Sequence, residues 1–184
     1  APGVLESAAR TAALELDGVD LLVNAAGVLA PSFLADGPVD EWERQISVNV
    51  TGLLRLSRAV LPELLKSASA GATTDLVNVS SVAASQPEFG AAVYASTKAA
   101  VTHLSRHFRL ELAAQNVRVT DVQPGMVETE IRKNSELGTA WEEDMKTRIT
   151  PLTADDVAEL IAFTVTRPPH FNLPEISVLP TRQT

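Results

Sequence analysis

The sequence predicts an α/β protein with a doubly wound parallel β-sheet and helices on both faces. Short apolar runs alternate along the chain with longer segments of helical periodicity. The apolar runs are nearly continuous, which is typical of strands buried on both faces of a parallel sheet. The resulting order, α-β-α-β-α-β-α-β, implies right-handed crossovers between the strands.

The first half of the chain contains two predicted helices and one strand. Residues 5–16 have the pattern of an amphipathic helix, and residues 19–25 form an apolar run that indicates the first strand. Residues 39–66 are long enough for one extended helix. Pro62 is expected to kink or divide that helix, because proline lacks the backbone N–H that the helix uses.

The alternation continues in the second half. Residues 67–74 are small and polar, and predict a surface loop. Residues 75–80 and 117–123 predict the second and third strands. Residues 91–115 predict the helix between them, and residues 176–179 predict a last short strand.

Residues 126–152 combine charged residues with short helical segments, and we expect them to form a substrate-binding flap. Thr153 is expected to cap the next helix, which reaches about Val165, because Asp156 stands at the third helical position as in a partial capping box. The length of the chain predicts a single domain over residues 1–184.

Composition narrows the possible functions. The 184 residues have a net charge of −8 without a basic patch, which argues against nucleic-acid binding. No apolar run can cross a bilayer and no signal peptide is recognisable, so we expect a cytoplasmic protein. The absence of cysteine excludes thiol catalysis. His103 and His107 are expected to be solvated, and no metal site is predicted.

The spacing of Tyr94 and Lys98 indicates acid–base chemistry. Four residues on a helix bring the two side chains to one face, one turn apart. An ammonium close to a phenol favours the phenolate, so the pKa of Tyr94 is expected to be lowered. Ser81, at the end of the second strand, adds a hydroxyl. These groups together can exchange a proton with a carbonyl or alcohol oxygen.

Distinctive residues follow each of the first three strands, where ligands bind in open parallel sheets. They are Asn24-Ala25-Ala26-Gly27, Ser80-Ser81 and Pro124-Gly125-Met126-Val127. Asn49 is also unusual, because an asparagine between two valines in an apolar helical stripe is costly unless it is hydrogen-bonded.

With these residues, the chain resembles the short-chain dehydrogenase/reductase family from about Leu14 to the C-terminus. The run from Asn24 to Gly27 is similar to the family's Asn-Asn-Ala-Gly motif, and Pro124-Gly125 with Thr129 is similar to its Pro-Gly-x-x-x-Thr element. The family's catalytic tetrad is matched in order by Asn49, Ser81, Tyr94 and Lys98. The closing Leu179-Pro180-Thr181-Arg182-Gln183 resembles the branch of NADP-dependent 3-hydroxy acid and small-aldehyde reductases.

The resemblance implies a Rossmann-like fold and an oxidoreductase that uses NADP, with NAD as the alternative, on a carbonyl or hydroxyl of a small metabolite. Tyr94 would be the general acid in reduction and the base in oxidation, and Ser81 would polarise the substrate oxygen. Lys98 would hold the nicotinamide ribose and lower the pKa of Tyr94. Asn49 would bend its helix and hold a water that relays protons to Lys98. The implied cofactor contacts are Asn24, Ala25, Ala26, Gly27, Tyr94, Lys98, Pro124, Gly125, Val127 and Thr129.

The long helices at residues 39–66 and 91–115 resemble those that pair family subunits, which implies a homodimer or homotetramer. Several residues also fit structural roles: Asn24 could join neighbouring strands, Ser80 suits structure better than catalysis, and Thr129 could cap the flap. The charged residues of the flap are expected to form a solvated face; they are Arg132, Lys133, Glu142, Glu143 and Asp144. Alternatively, Arg132 or Lys133 could bind an acidic substrate.

One part of the family pattern is absent from these residues. Family members begin with two βα units, roughly 60 residues, whose Thr-Gly-x-x-x-Gly-x-Gly turn holds the cofactor pyrophosphate. No such turn occurs here, so we expect the native protein to be longer, with those units covering the strand at residues 19–25. Two alternatives to the oxidoreductase remain. One is a catalytically incompetent fragment or oligomerising scaffold; the other is a cofactor-free relative with epoxide chemistry, and Lys98 argues against this second alternative.

Overall fold

The computed structural model describes residues 3–132 and 135–183. Within these ranges, the chain forms six α-helices and four β-strands. In chain order they are α1 Val4–Glu15, β1 Leu21–Asn24, α2 Val39–Ile46, α3 Leu53–Ser69, β2 Thr74–Val79, α4 Ala92–Leu112, β3 Val117–Pro124, α5 Glu136–Lys146, α6 Ala154–Val165 and β4 Glu175–Val178. A π-helical segment joins α2 to α3, and single 3₁₀ turns precede α4, follow α4 and precede α5.

The four strands form one parallel sheet in the order β1-β2-β3-β4. Successive residues of β2 point to opposite faces of this sheet. Leu76 packs into a cluster with α1 and α3, whereas Val77 packs with Val122 of β3 and Val157 of α6. The predicted parallel sheet with helices on both faces is therefore confirmed. In the described chain, β1 lies at one edge of the sheet, with Leu21 37% exposed.

The long helical stretch predicted for residues 39–66 is confirmed, since α2, the π-helical segment and α3 follow one another without a gap, whereas the interruption expected at Pro62 is wrong. The helix departs from α geometry at Ser47–Gly52, which is π-helical and contains the buried Asn49. In contrast, α3 continues through Pro62. Its buried side chains Val60 and Leu64 pack against the sheet on either side of the proline, and this packing outweighs the one lost backbone hydrogen bond.

A buried ion pair fixes the position of the C-terminal elements. Arg118 of β3 binds Asp75 of β2 through two hydrogen bonds of 2.8 and 2.6 Å. The same guanidinium donates to four backbone carbonyls at the end of α6 and in the connection to β4, those of Val165, Arg167, Pro168 and Phe171. Arg118 therefore links the sheet centre to the segment that leads into β4.

The local structure around residues 126–152 consists of the 3₁₀ turn Glu130–Arg132 and α5. The capping box that was predicted for α6 is present, since Thr153 Oγ1 accepts from the Asp156 N–H at 3.1 Å and Asp156 Oδ2 accepts from the Thr153 N–H at 2.7 Å. Across the described ranges, no helix is both long and apolar enough to traverse a bilayer. No cluster of three metal-ligating side chains occurs among the same residues.

Candidate active site

The carboxyl ends of β1, β2 and β3 open into a cavity of about 710 Å³. Most of the residues predicted from the sequence line it. They are Ala25 and Gly27 after β1, Ser81 after β2, Tyr94 and Lys98 on α4, and Pro124, Gly125, Val127 and Thr129 after β3. The convergence follows from the parallel sheet, because all its strands end at the same edge.

Tyr94 lies at the cavity with 8% of its surface exposed. Burial raises the pKa of its phenol above the ordinary value, while a hydrogen bond with Ser81 and the charge of Arg132 partly oppose this rise. The lowered pKa that the sequence predicted is therefore wrong, because the cost of burying the phenolate is the larger effect. The phenol is protonated at neutral pH and can act as an acid.

Lys98 stands one turn after Tyr94, with its Nζ 5.7 Å from the tyrosine ring centroid. Nζ donates one hydrogen bond, of 2.9 Å, to the Val79 carbonyl at the end of β2. Burial lowers the pKa of this ammonium to about 8, and the buried Asp121 opposes the shift. Because an ammonium has three N–H donors, two remain for another group at the cavity.

Asn49 supports the site from behind the loop that follows β1. Its Oδ1 accepts from the Val28 N–H at 2.8 Å, and its Nδ2 donates to the Val28 carbonyl and to Thr97 at 2.9 and 3.0 Å. The side chain therefore joins the β1 loop to α4. Both amide N–H groups are used, so a water bound at this residue would use the free lone pair of Oδ1 or the backbone carbonyl.

Gly27 separates Asn49 from Lys98. A Cβ at Gly27 would lie 3.4 Å from Lys98 Nζ and 3.5 Å from Asn49 Oδ1. The missing side chain therefore leaves room between these two polar groups, which is the space that a bridging water would need.

Asn24 does not line the cavity. Its Nδ2 donates to Asn78 Oδ1 at 2.8 Å and to Ser57 at 2.9 Å, and Asn78 in turn donates to Ser105 at 2.8 Å. This buried chain of amides and hydroxyls connects β1, β2, α3 and α4. The side chain of Asn24 thus joins neighbouring strands, which is the structural role that the sequence left open, and Ala26 is likewise outside the cavity lining.

The structure also gives Ser80 and Thr129 the structural contacts that the sequence left open for them. Ser80 is 3% exposed and bonds to Thr102 and to the Val122 carbonyl, while Ser81 accepts from the Ala83 N–H at 3.1 Å. Thr129 accepts from the Ile131 N–H at 3.4 Å, so it caps the 3₁₀ turn and also lines the cavity.

Gln183 is a cavity residue to which sequence reasoning gave no role. Its Oε1 accepts from the Met126 N–H at 2.7 Å and occupies the space where a Cβ of Gly125 would lie, only 2.5 Å away. Gln183 follows β4, so the rule that sites form after the strands could have identified it. Residues of α6 also line the cavity at helical spacing, namely Ala154, Val157, Ala158 and Ile161.

The solvated flap face predicted from the charged residues is wrong at two positions. Arg132 lines the cavity, where it pairs with Glu88 at 2.8 Å and lies 3.6 Å from the ring centroid of Trp141. Glu142 is 6% exposed and pairs with Lys146 at 2.8 Å. Glu143 and Asp144 are exposed as expected, and Lys133 lies outside the described residues.

The fold and the grouping of these side chains are those of a dehydrogenase of the short-chain type. Residues 3–139 match the family described as short chain dehydrogenase, and the chain belongs to this family.

Two similar curated proteins come from Chromohalobacter salexigens. Sulfoacetaldehyde reductase 2 is 42% identical over 167 residues, which are 90% of this chain and 65% of the relative. Sulfoacetaldehyde reductase is 40% identical over 164 residues, covering 89% of this chain and 64% of the relative. The chain thus spans about 65% of the length of these relatives.

Solved structures with the same fold include serine dehydrogenase complexed with NADP+, with 31% identity, a TM-score of 0.85, and coverage of 97% of this chain and 73% of that one. Serine dehydrogenase from Escherichia coli has 30% identity and a TM-score of 0.80, over 99% and 73% of the two chains. A 3-ketoacyl-(acyl-carrier-protein) reductase from Brucella melitensis complexed with NADH has 26% identity and a TM-score of 0.84, over 97% and 73%.

Proposed function

We propose that this protein is an oxidoreductase that transfers a hydride between NADP(H) and a carbonyl or hydroxyl group of a small metabolite, with NAD(H) as the alternative cofactor. The observation that supports this most directly is the convergence of Ser81, Tyr94 and Lys98 on one cavity beside Gly27. Family membership and relatives named as reductases agree with it.

The cavity fits the reactive end of a nicotinamide cofactor. Its volume of about 710 Å³ lies within the range of small-molecule sites, about 300–1,000 Å³. Ala25 and Gly27 permit close approach, and Lys98 has two free donors for ribose hydroxyls. Val127 and Thr129 lie on the wall after β3 and would contact the nicotinamide end. When bound, the cofactor supplies or accepts the hydride.

The protein's own contribution is proton transfer and positioning. In reduction, Tyr94 donates its phenolic proton to the carbonyl oxygen, and Ser81 donates a hydrogen bond that orients the same oxygen. In oxidation, Tyr94 receives the proton of the hydroxyl group. Because burial raises the pKa of Tyr94, the acid form dominates at neutral pH, and oxidation is expected to accelerate as the pH rises.

Asn49 and Gly27 would bound the space in which a water relays protons to Lys98. Residues 126–152 are proposed as a flap over the substrate, since Trp141 and Met145 of α5 line the cavity.

We further propose a cytoplasmic homodimer or homotetramer. The exposed Leu54 on α3 and Leu110 on α4 are apolar groups that subunit contacts would cover.

The test combines cofactor binding with turnover. NADPH affinity is measured by isothermal titration, and NADPH oxidation is followed at 340 nm with a panel of small aldehydes and ketones. Tyr94→Phe is expected to lower kcat by about 100- to 10,000-fold, as for loss of a general acid, with NADPH affinity within about threefold of wild type. Retained turnover in Tyr94→Phe would exclude the role of Tyr94. Absence of dinucleotide binding by a chain that also carries the family's N-terminal βα units would refute the oxidoreductase.

A further inference from the structure

An arginine with an internal carboxylate partner stands in the wall of the catalytic cavity. Arg132 binds Glu88 through both terminal nitrogens, NH1 to Oε1 at 2.8 Å and NH2 to Oε2 at 3.0 Å. Both side chains line the cavity that contains Tyr94, and they are 14% and 19% exposed. This two-point fork is the arrangement with which arginine recognises carboxylates and related oxyanions.

The two partners are held differently. The Arg132 guanidinium stacks on Trp141 at 3.6 Å from the ring centroid, so its plane is oriented by α5 as well as by Glu88. In the described part of the chain, by contrast, Arg132 is the only polar partner of the Glu88 carboxylate. The guanidinium would therefore keep its position if the carboxylate moved away, which makes Glu88 the exchangeable member of the pair.

The pair is also close enough to the reaction centre to matter for substrate selection. The charge of Arg132 lowers the pKa of Tyr94 and the charge of Glu88 raises it, so both charges are felt at the phenol. Ile131, Trp141 and Met145 line the same cavity, as does Glu142, whose carboxylate pairs with Lys146 at 2.8 Å. A small substrate with its carbonyl at Tyr94 thus has one cationic group available for its other end.

We propose that Arg132 is an anion-recognition residue, which binds the carboxylate or sulfonate of a small aldehyde or hydroxy acid after that group has displaced Glu88. This inference rests on the proposed function, and it adds the substrate class. An anionic substrate exchanges one oxyanion for another at the same fork, so the guanidinium is not left unpaired. A neutral substrate leaves the Arg132–Glu88 pair intact and gains nothing from it.

The experiment compares three aldehydes of similar size with the full chain and NADPH: succinic semialdehyde, sulfoacetaldehyde and the neutral butanal. The variants are Arg132→Gln and Glu88→Gln. Arg148→Gln is the matched control, because Arg148 pairs with Asp144 on the exposed side of the same segment and does not line the cavity. L-Serine oxidation is measured as a fourth reaction.

Arg132→Gln is expected to lower kcat/KM for the anionic aldehydes by about 10- to 100-fold and for butanal by less than about threefold. Glu88→Gln should raise kcat/KM for the anions by about two- to fivefold, because the competing carboxylate is gone. Arg148→Gln should change none of the values. Loss on the carboxylate alone or on the sulfonate alone identifies which of the two oxyanions the site accepts.

Three results would overturn the inference. Equal losses on butanal and on the anions in Arg132→Gln would indicate a structural role. Unchanged kcat/KM for the anionic aldehydes in Arg132→Gln would exclude contact between Arg132 and the substrate. If Glu88→Gln lowers kcat/KM for L-serine but not for the anionic aldehydes, the intact Arg132–Glu88 pair binds the two charges of a zwitterion.

A binding measurement separates this inference from the proposed function. Methanesulfonate and acetate are titrated while tryptophan fluorescence is recorded, since Trp141 contacts Arg132 directly. A saturable change in wild type and Arg148→Gln, absent in Arg132→Gln, supports the anion site even if no aldehyde is reduced. Turnover of butanal without any fluorescence response refutes the anion site while the oxidoreductase stands.

Discussion

Replacing Lys98 with methionine is expected to make the protein more stable at neutral pH while it removes activity. Lys98 is 5% exposed, and burial lowers the pKa of its ammonium from 10.5 to about 8. At about 1.4 kcal/mol for each pH unit, this difference corresponds to a cost of about 3 kcal/mol to the folded state. Methionine has a similar length and no charge, so the variant does not have this cost.

The sign of the pH dependence follows from proton binding. Below about pH 8, Lys98 is protonated in both states and the cost is fully present. Between about 8 and 10.5, the unfolded chain binds a proton that the folded chain does not bind, so wild-type stability rises with pH. The stability advantage of Lys98→Met should therefore shrink by about 2–3 kcal/mol from pH 7 to pH 10.

Two effects reduce the stability advantage of Lys98→Met at pH 7. The variant loses the hydrogen bond from Nζ to the Val79 carbonyl, worth about 0.5–1.5 kcal/mol, and Asp121 loses a nearby cation. The hydrogen bond depends little on pH, because a neutral amine still donates. The attraction to Asp121 is already contained in the shifted pKa of Lys98, and the wild type also loses it as Lys98 is deprotonated above about pH 8. The change of the advantage with pH is thus the more direct measure of the burial of this charge.

The assay is urea unfolding at several pH values from 7 to 10, followed by circular dichroism. Lys66→Met is the matched control, because the Lys66 side chain on α3 is 76% exposed and the same substitution there should give a small offset with little pH dependence. A stability difference between Lys98→Met and wild type that stays constant across this pH range would refute the reasoning.

The structure supports two further predictions. Asn49→Ala should lower the free energy of unfolding by about 2–3 kcal/mol in a urea titration, because it leaves the Val28 N–H and carbonyl without their side-chain partner. The control is Gln115→Ala, which alters an exposed amide and should cost less than about 0.5 kcal/mol in the same titration. Gly125→Ala should cost about 1–3 kcal/mol by thermal unfolding, since its Cβ would lie 2.5 Å from Gln183 Oε1 and 3.1 Å from Pro180 Cδ. A Gln183→Ala background should relieve part of that cost, because the contact with Pro180 remains, and an undiminished cost in that background would contradict the contact with Gln183.

The cavity combines two side chains of one helix with residues that follow the four strands. Tyr94 and Lys98 both belong to α4, Ser81 follows β2, and Gln183 reaches the site from the end of β4. Arg118 connects β3 to the segment before β4, and so contributes to the position of Gln183 although it lies away from the cavity. The buried ion pair with Asp75 is therefore relevant to the site as well as to the fold.

Short-range patterns in the sequence identified most of the elements and the grouping of Tyr94 with Lys98. The continuous apolar runs identified the strands of the parallel sheet, and the spacing of four residues brought Tyr94 and Lys98 to one face, because both inferences depend on the repeat of a strand or a helix. The prediction of an interruption at Pro62 failed. The helix departs from α geometry at Ser47–Gly52 instead, where side-chain bonds of Asn49 to another segment accompany a π-helical stretch that no local propensity reveals.

Tertiary structure alone decided the electrostatics and the outer wall of the site. The pKa of Tyr94 is raised because burial outweighs nearby charge, and burial depends on residues far away in the chain. The pairing of Arg132 with Glu88, 44 residues earlier, and its stacking on Trp141 likewise require the segment after β3 to lie against the loop before α4. Sequence determines which groups an element presents, whereas the packing of elements determines the dielectric surroundings and the partners that set their chemistry.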